Sequence, residues 1–230
     1  MNSKRFANFL VYKLNENFLL KRLITIFISC SVAWAASGQV LNYEVVKGSK
    51  KLGDMTVKRT ALENQTYYEI NSKVTFRILF SFVVDYESTS EYKYGQLVKE
   101  YTHNQLSGNT QKKSTIWWDG QTYTLDLDGS RIHVKEPINY SVAAVYYEEP
   151  DHQKKVYSPQ FGEFLTFKKI KDHVYELESP DGRNEYYYTN GVCTEVKVFR
   201  DFAKFSFVMT PESLQAVKSK KIVGGGFVVD

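Results

Sequence analysis

A strict alternation of apolar and polar residues between Tyr68 and Tyr86 constrains the fold more than any other feature of the chain. The even-numbered positions of this stretch are almost all apolar, whereas most of the odd-numbered positions are polar. Successive side chains of a β-strand point to opposite faces, so the pattern is typical of a strand with one face on a core. Because 19 residues is long for one strand, we expect a bend or break between Leu79 and Phe82.

Turn-forming dipeptides divide much of the remaining chain into hairpins. Gly, Asn and Asp tolerate the positive φ of tight turns, and the four clearest pairs are Asp119-Gly120, Asp128-Gly129, Asp181-Gly182 and Asn190-Gly191. About eleven strands result, the pattern of an antiparallel meander. Besides 68–86 they cover 41–47, 55–62, 97–104, 114–118, 122–127, 131–136, 174–179, 185–189, 192–199 and 202–209. So many strands must curl or close to protect their edges, so we predict an all-β fold, a barrel or half-barrel.

Two short segments break this pattern and predict helices. Residues 140–147 follow Asn139, a candidate N-cap, and end before Pro150. Residues 211–218 begin with a proline that follows Thr210, which suits a capped helix start. We therefore expect one or two short helices against the curved sheet.

A cationic and apolar segment near the N-terminus predicts export. Lys21 and Arg22 precede an apolar run of 14 residues, which small residues follow up to Gly38. A membrane-spanning helix needs ~20 apolar residues, so we favour a secretory signal over an anchor and expect no transmembrane span in the mature chain. Residues 1–39 are then a leader, and residues 40–230 are a single β-rich domain located in the periplasm or cell envelope, or secreted.

The sequence of the leader bears on two further points, the cleavage position and lipid attachment. Cleavage after Ala35, Ser37 or Gly38 fits the small residues equally. Cys30 stands in a loosely lipobox-like context, but the apolar stretch before it is short and Phe27 replaces the usual leucine. Lipid attachment at Cys30 is therefore not expected.

Removing the leader changes the charge balance. The chain carries 30 Lys and Arg against 26 Asp and Glu, and the leader holds five of the cations and one of the anions, so 25 of each remain. A formally neutral domain is no evidence for a nucleic-acid partner, which would need a basic stripe. Cys193 remains as the one cysteine after residue 39, which rules out an intramolecular disulfide.

A catalytic or metal-binding set is not evident. The histidines are His103, His133, His152 and His173, and none stands at metal-ligand spacing from another. Cys193 is best interpreted as a packing residue, because a nucleophile needs a neighbouring base that sequence cannot place. We expect no metal, no cofactor and no enzymatic activity.

Aromatic residues suggest where an apolar molecule could bind. Tyr186 and Tyr188 share one strand face with Tyr187 on the other, so neither face is simply solvated. Together with the apolar face of 68–86 they form the candidate ligand-binding set, which is Phe76, Ile78, Phe80, Phe82, Tyr186 and Tyr188. Adjacent Trp117 and Trp118 point to opposite faces, so one is expected in the core and the other exposed as a candidate partner-binding residue.

Several segments also resemble a known family. They are SVAAVYYEEP around residues 142–150, VYSPQFGEF at 156–164, YELESPDGRNEYYYTNGVCTEVKV at 175–198, YKYGQL at 92–97 and the early YEVVKGSKKLG. The chain resembles a family of exported proteins of unknown function from Bacteroidota-type bacteria, except that Pro159-Gln160 stands where that pattern has an acidic residue. The resemblance implies export and a β-rich fold, and it implies no activity and no catalytic residues.

Two functional hypotheses remain. The leading one is a non-catalytic envelope protein whose curved sheet binds a lipid-like or other apolar ligand on its concave face. The alternative is an interaction or scaffold protein that binds a protein or glycan partner through a sheet edge or through the Trp117 and Trp118 region. A hollow interior favours the first hypothesis, and a packed interior favours the second.

Overall fold

The computed structural model describes residues 37–77, 80–150, 154–201 and 203–225, which all fall in the compact unit Ala36–Asp230. They form fourteen strands, an α-helix and a 3₁₀ turn, and so confirm the all-β class. The elements are β1 (Ser37–Lys47), β2 (Lys50–Leu62), β3 (Gln65–Arg77), β4 (Ser81–Lys93), β5 (Gln96–Leu106), β6 (Asn109–Trp118), β7 (Tyr123–Leu127), β8 (Ser130–Val134), the 3₁₀ turn (Ala144–Tyr146), β9 (Lys155–Ser158), β10 (Glu163–Lys171), β11 (Val174–Ser179), β12 (Gly182–Thr189), β13 (Val192–Arg200), β14 (Ala203–Met209) and α1 (Pro211–Lys218).

All fourteen strands belong to one antiparallel sheet. Its order is β8-β7-β6-β5-β4-β3-β2-β1-β14-β13-β12-β11-β10-β9, so two meanders, β1–β8 and β9–β14, join where β1 pairs with β14. The edge strands β8 and β9 are not paired with each other in the described residues. The sheet is therefore curled, but hydrogen bonds do not close it. Of the two folds predicted from the sequence, a barrel and a half-barrel, it corresponds to the half-barrel.

Side-chain packing brings the two ends of the sheet together. The turn between β9 and β10 contains Gly162, whose φ is +70°. A Cβ at this position would lie 2.7 Å from Cδ2 of Leu125 on β7 and 3.3 Å from Cδ1 of Ile132 on β8. The close approach requires glycine, and it places the second meander against the free end of the first.

The longest alternating stretch of the sequence is a hairpin rather than one bent strand. β3 ends at Arg77, β4 begins at Ser81, and Phe76 pairs with Phe82 across the hairpin. Even-numbered residues therefore oppose even-numbered residues, and the inward face keeps its parity through the reversal. Phe80 leaves that face because it lies in the turn, where it is 77 % exposed. The predicted break is in the right place, but the prediction of a single interrupted strand is wrong.

A segment between β8 and β9 fills one half of the curled sheet. We call residues 138–147 the inner segment, and its buried members are Ile138, Tyr140, Ser141, Ala143, Ala144, Val145 and Tyr147. Backbone hydrogen bonds tie its first part to two strands of the sheet. The amide of Leu97 donates to the Ile138 carbonyl at 2.8 Å, and the amide of Tyr157 donates to the Tyr140 carbonyl at 2.9 Å.

Tyrosine hydroxyl groups fix the far end of the inner segment. The Tyr147 hydroxyl lies 2.7 Å from the carbonyl oxygen of Gln39 and 2.9 Å from that of Val57. The Tyr188 hydroxyl donates to the Val145 carbonyl at 3.0 Å. Buried carbonyl groups need hydrogen-bond donors, and these tyrosine hydroxyl groups supply them to the inner segment and to β1 and β2.

The two helix predictions have different outcomes. α1 has the predicted bounds, and its N-cap Thr210 accepts a hydrogen bond from the amide of Ser213. The helix predicted over 140–147 is reduced to the three-residue 3₁₀ turn, because the first half of that segment bonds to the sheet instead. No helix among the described residues is long and apolar enough to cross a membrane.

Candidate ligand-binding site

The other half of the curled sheet contains a cavity of about 460 Å³. Ligand sites of small molecules commonly occupy ~300–1,000 Å³ and have mostly apolar walls. Apolar side chains from β2–β4 and from β12–β14 form the opposite walls, among them Met55, Ile70, Phe76, Val196, Val198 and Phe205. The interior is thus packed at one end and hollow at the other.

The inner segment forms the floor of this cavity. Val142 and Tyr146 line it from below, whereas their neighbours in the segment pack into the filled half. Both residues are only partly buried, as are Phe205 and Phe207 on the wall. Apolar side chains that face an open cavity without being covered leave apolar area for a ligand to bury.

A larger concavity of about 840 Å³ is a weaker candidate. It is lined by Lys155 and by consecutive residues of β10, 166–171. Because these residues come from one strand and its neighbour, the concavity is a groove on the surface. It lacks the opposing apolar walls of the 460 Å³ cavity.

Polar groups gather at the rim of the cavity around Arg200. Its Nη1 donates to Oδ1 of Asn184 at 3.0 Å and to the Phe199 carbonyl at 3.0 Å. Its Nη2 lies 3.5 Å from Oδ1 of Asp181, and the side chain is 17 % exposed. Asp181 also accepts from the Ser179 hydroxyl at 2.7 Å. The guanidinium and carboxylate compensate each other, so this rim is polar but close to neutral.

Sequence reasoning missed this rim, although a signal was present. Val196 and Val198 line the cavity from β13, and Arg200 continues the same alternation two residues later. A strand whose inward face changes from valine to arginine at its last residue indicates that the inward face reaches solvent there. The opposite rim carries the amides Asn104, Gln105 and Gln111.

A buried carboxyl group, Glu100, contacts the inner segment and was also missed. Its Oε1 accepts from the Ser90 hydroxyl at 2.9 Å and from the Ser141 hydroxyl at 3.3 Å. Its Oε2 has no hydrogen-bond partner among the described residues. Desolvation raises the pKa of Glu100 from 4.5 to about 7, although the two hydroxyl groups lower it. The group can therefore hold or release a proton near neutral pH.

The tyrosines around Glu100 extend this polar cluster. The Tyr92 hydroxyl donates to Oγ of Ser141 at 2.9 Å and accepts from the Ser141 amide at 3.0 Å. The Tyr157 hydroxyl is buried without a partner among the described residues. Burial, followed by the charge of Glu100, raises the pKa of both tyrosines. The cluster holds the inner segment in place and does not line the cavity.

The six predicted ligand-binding residues separate into distinct locations. Phe76 and Tyr186 line the cavity. Phe82 stacks on Phe76 with ring centroids 5.3 Å apart, so it supports the wall. Tyr188 faces inward in the filled half, where its hydroxyl bonds to the inner segment.

Of the remaining two residues, Phe80 lies outside the cavity and Ile78 lies outside the described residues. Phe80 lies at the tip of the β3–β4 hairpin, because the chain reverses there and the alternation no longer determines its direction. His152 and residues 1–36 of the predicted leader also lie outside the described residues, whereas the last three residues of that leader, 37–39, belong to β1.

The two tryptophans lie on opposite faces, as their adjacency predicts. Trp118 packs against the core, with its ring 4.7 Å from that of Tyr123. Trp117 pairs with Lys99 and Thr124 in the sheet, and it is partly buried rather than exposed as expected, because neighbouring strands cover it on both sides. Their role in binding a partner stays a prediction.

Reactive side chains lie away from the cavity. Nδ1 of His103 is 3.2 Å from Oε1 of Glu87, and Nδ1 of His173 is 3.0 Å from Oε1 of Glu149. Neither of these two pairs lines the cavity. Cys193 is fully buried, and desolvation raises the pKa of its thiol. Within the described ranges, no group of three or more His, Cys, Asp or Glu could hold a metal ion. The absence of enzymatic activity remains a prediction.

Comparison with known proteins gives a family and a structural neighbour. The model of a domain of unknown function, DUF6134, matches residues 43–210. A crystal structure of a β-barrel-like protein of the domain of unknown function DUF1849 from Brucella abortus has a TM-score of 0.46 and 12 % sequence identity, over 77 % of this chain and 98 % of that one. No curated protein matches the chain. The assignment to a family of unknown function is thereby confirmed, whereas the bacterial group and the export that the resemblance implies stay predictions.

Proposed function

We propose that this chain, which belongs to the DUF6134 family, binds the apolar chain of a lipid-like amphiphile in the cavity and does not transform it. The observation that carries the proposal is the cavity of about 460 Å³ between opposing apolar walls, with Val142 and Tyr146 as its floor. A packed interior would have left no room for a ligand, and the filled half of the same sheet illustrates that alternative.

The energetics favour an apolar chain as the occupant. Each methylene group that moves from water into an apolar site contributes ~0.8 kcal/mol. The partly buried Phe205, Phe207 and Val142 also lose solvent-exposed area when a chain covers them. The polar end of an amphiphile would remain at the rim, where Arg200 and Asn184 supply hydrogen-bonding groups and water stays accessible.

We further propose that the protein acts outside the cytoplasm, in the periplasm or cell envelope. The support is the signal-like sequence before residue 39. Of the three cleavage positions, the one after Ala35 leaves β1 complete, because Ser37 and Gly38 pair with Ala61 and Thr60 of β2. Cleavage after Ser37 or Gly38 would remove one or both of these pairs.

Filling the cavity tests the proposed function. Ser72 on β3 lines the cavity, whereas the preceding Asn71 is exposed on the outer face of the same strand. The variant Ser72→Trp places an indole in the cavity, and Asn71→Trp is the matched control that adds the same group outside. Binding of a dansyl-labelled undecanoic acid is followed by fluorescence, and thermal unfolding confirms that both variants are folded.

We expect Ser72→Trp to weaken binding of the probe at least about tenfold, or ~1.4 kcal/mol, because the indole occupies the space of the acyl chain. Asn71→Trp should bind like the wild type. Equal binding by the wild type and folded Ser72→Trp, or no binding by the wild type, would contradict the proposal.

A further inference from the structure

We propose that the protein docks the rim of its cavity onto the surface of an anionic lipid bilayer, with Phe80 as the inserted residue. We call Lys47, Lys50, Arg77, Phe80 and Leu106 the docking patch. The inference rests on the proposed function and extends it, because it assigns the membrane from which an apolar chain would enter the cavity.

Sheet topology places the docking patch at the open end of the cavity. The β1–β2, β3–β4 and β5–β6 turns lie at the same end of an antiparallel meander, and β3–β4 is the middle one. The residues that come just before or after these turns, Phe76 and Leu106, line the cavity. The turns therefore border its opening.

Hydrogen bonds connect the start of β4 to the β5–β6 turn. The Ser107 amide donates to the Val83 carbonyl at 2.7 Å, and the Val83 amide donates to the Ser107 hydroxyl at 3.3 Å. The start of β4, three residues after Phe80, is thus attached to the β5–β6 turn.

The tip exposes apolar side chains at this rim. Phe80 is 77 % exposed and Leu106 is 36 % exposed. A single exposed apolar residue needs no explanation, but these two lie at the same end of the sheet as the opening of an apolar cavity. Apolar residues on a protein surface beside an apolar site indicate contact with a membrane or partner.

Positive charges accompany the exposed phenylalanine. Lys47, Lys50 and Arg77 are exposed on the β1–β2 and β3–β4 turns, and none of them forms an ion pair with another described residue. On β1 and β2, Lys51 lies 3.0 Å from Glu44 and 2.7 Å from Asp54, so these three side chains offset only one of the three positive charges. The next turn along the sheet contributes the exposed Asp201, so the positive potential is concentrated on the side of the rim that carries Phe80.

Charge complementarity selects an anionic bilayer as the occupant of this surface. An apolar residue flanked by Lys and Arg is the combination that inserts below anionic head groups. A neutral protein surface would offer no counterpart for the three unpaired cations. Insertion of Phe80 would also bring the cavity opening to the depth of the acyl chains.

Vesicle sedimentation with matched aromatic variants tests this inference. Phe80→Asn removes the inserted side chain. Tyr94→Asn is the control, because Tyr94 is also 77 % exposed but lies in the β4–β5 turn at the opposite end of the sheet. The full mature chain is mixed with vesicles of phosphatidylcholine alone or of equal parts phosphatidylcholine and phosphatidylglycerol. Binding of the dansyl-labelled acid without vesicles is measured in parallel.

We expect the wild type to bind the phosphatidylglycerol vesicles and to release them at high salt, which screens surface charges. Phe80→Asn should lower vesicle binding about tenfold, Tyr94→Asn should leave it unchanged, and both should bind the dansyl probe like the wild type. The inference is overturned if Phe80→Asn binds vesicles like the wild type, or if Tyr94→Asn loses as much vesicle binding as Phe80→Asn. It is also overturned if phosphatidylglycerol does not increase vesicle binding, and a protein would then be the remaining partner for this surface. If the wild type does not bind the dansyl probe in the absence of vesicles, the proposed function itself is refuted.

Discussion

Glu100 makes the stability of this fold depend on pH. The carboxyl group is fully buried, and desolvation raises its pKa from 4.5 to about 7. A carboxyl group with a raised pKa binds its proton more tightly in the folded state than in the unfolded state. Its stabilising effect is therefore complete below pH 4.5 and is lost as the pH rises towards 7.

We predict that Glu100→Gln removes this dependence. One pKa unit corresponds to ~1.4 kcal/mol, so the free energy of unfolding of the wild type should fall by roughly 3 kcal/mol relative to the variant as the pH rises through this range. Urea unfolding at a series of pH values measures the difference. Glu178→Gln, at an exposed position, should follow the wild type. A constant difference between the wild type and Glu100→Gln would show that the carboxyl does not titrate in this range.

The position of Glu100 also shows where residue-level prediction fails. Alternation correctly placed Phe76 and Tyr186 on the inward face, because strand periodicity is a local property. On β5, however, Leu97 and Glu100 are both buried although their parity differs. Leu97 pairs with Tyr92 and Lys99 pairs with Glu91, so Val98 is an extra residue in the strand. Such a bulge reverses the inward parity, and no residue in this segment announces it.

At the level of elements, the contact of the β9–β10 turn with β7 and β8 holds the uncovered ends of the sheet together. We predict that Gly162→Ala destabilises the protein more than Gly129→Ala does. Both glycines have positive φ, +70° and +86°, so both substitutions force alanine into the left-handed region. At position 162 the added Cβ would also meet the buried Leu125 at 2.7 Å, whereas nothing lies within 4 Å at position 129.

Overpacking in a well-packed site costs typically ~1–3 kcal/mol, and this is the expected difference in the free energy of unfolding between the two variants. Chemical denaturation measures it. Equal destabilisation by the two substitutions would mean that the turn is not packed against β7 and β8.

The elements differ in how well the sequence predicts them. Thr210 and Pro211 define the start of α1 through local capping, and the helix has the predicted bounds. The strands β9 and β10 were not predicted, since β9 has four residues and β10 carries three lysines without a clear alternation. The β3–β4 reversal was predicted only as a bend or break within one strand, because Phe80 continues the apolar parity of the strand before it.

At the scale of the whole molecule, the inner segment determines what the protein can bind. It fills one half of the curled sheet and leaves the other half hollow. Its fixation depends on contacts distant in sequence, such as those of Tyr147 with Gln39 and Val57. Sequence periodicity reports neighbours within a strand and cannot report such pairs. The curled antiparallel sheet was therefore predictable, whereas the division into a packed and a hollow half was not.

The most direct measurement for the central claim is native mass spectrometry of the protein purified from its own cells without detergent. The account predicts a population heavier than the mature chain, whose extra mass leaves as an apolar, solvent-extractable molecule when the protein is unfolded. The denatured mass should at the same time correspond to a chain that begins at Ala36. Two results together would contradict a ligand-binding cavity. They are a single population with the mass of the bare chain, and no binding of the dansyl-labelled acid by the same protein.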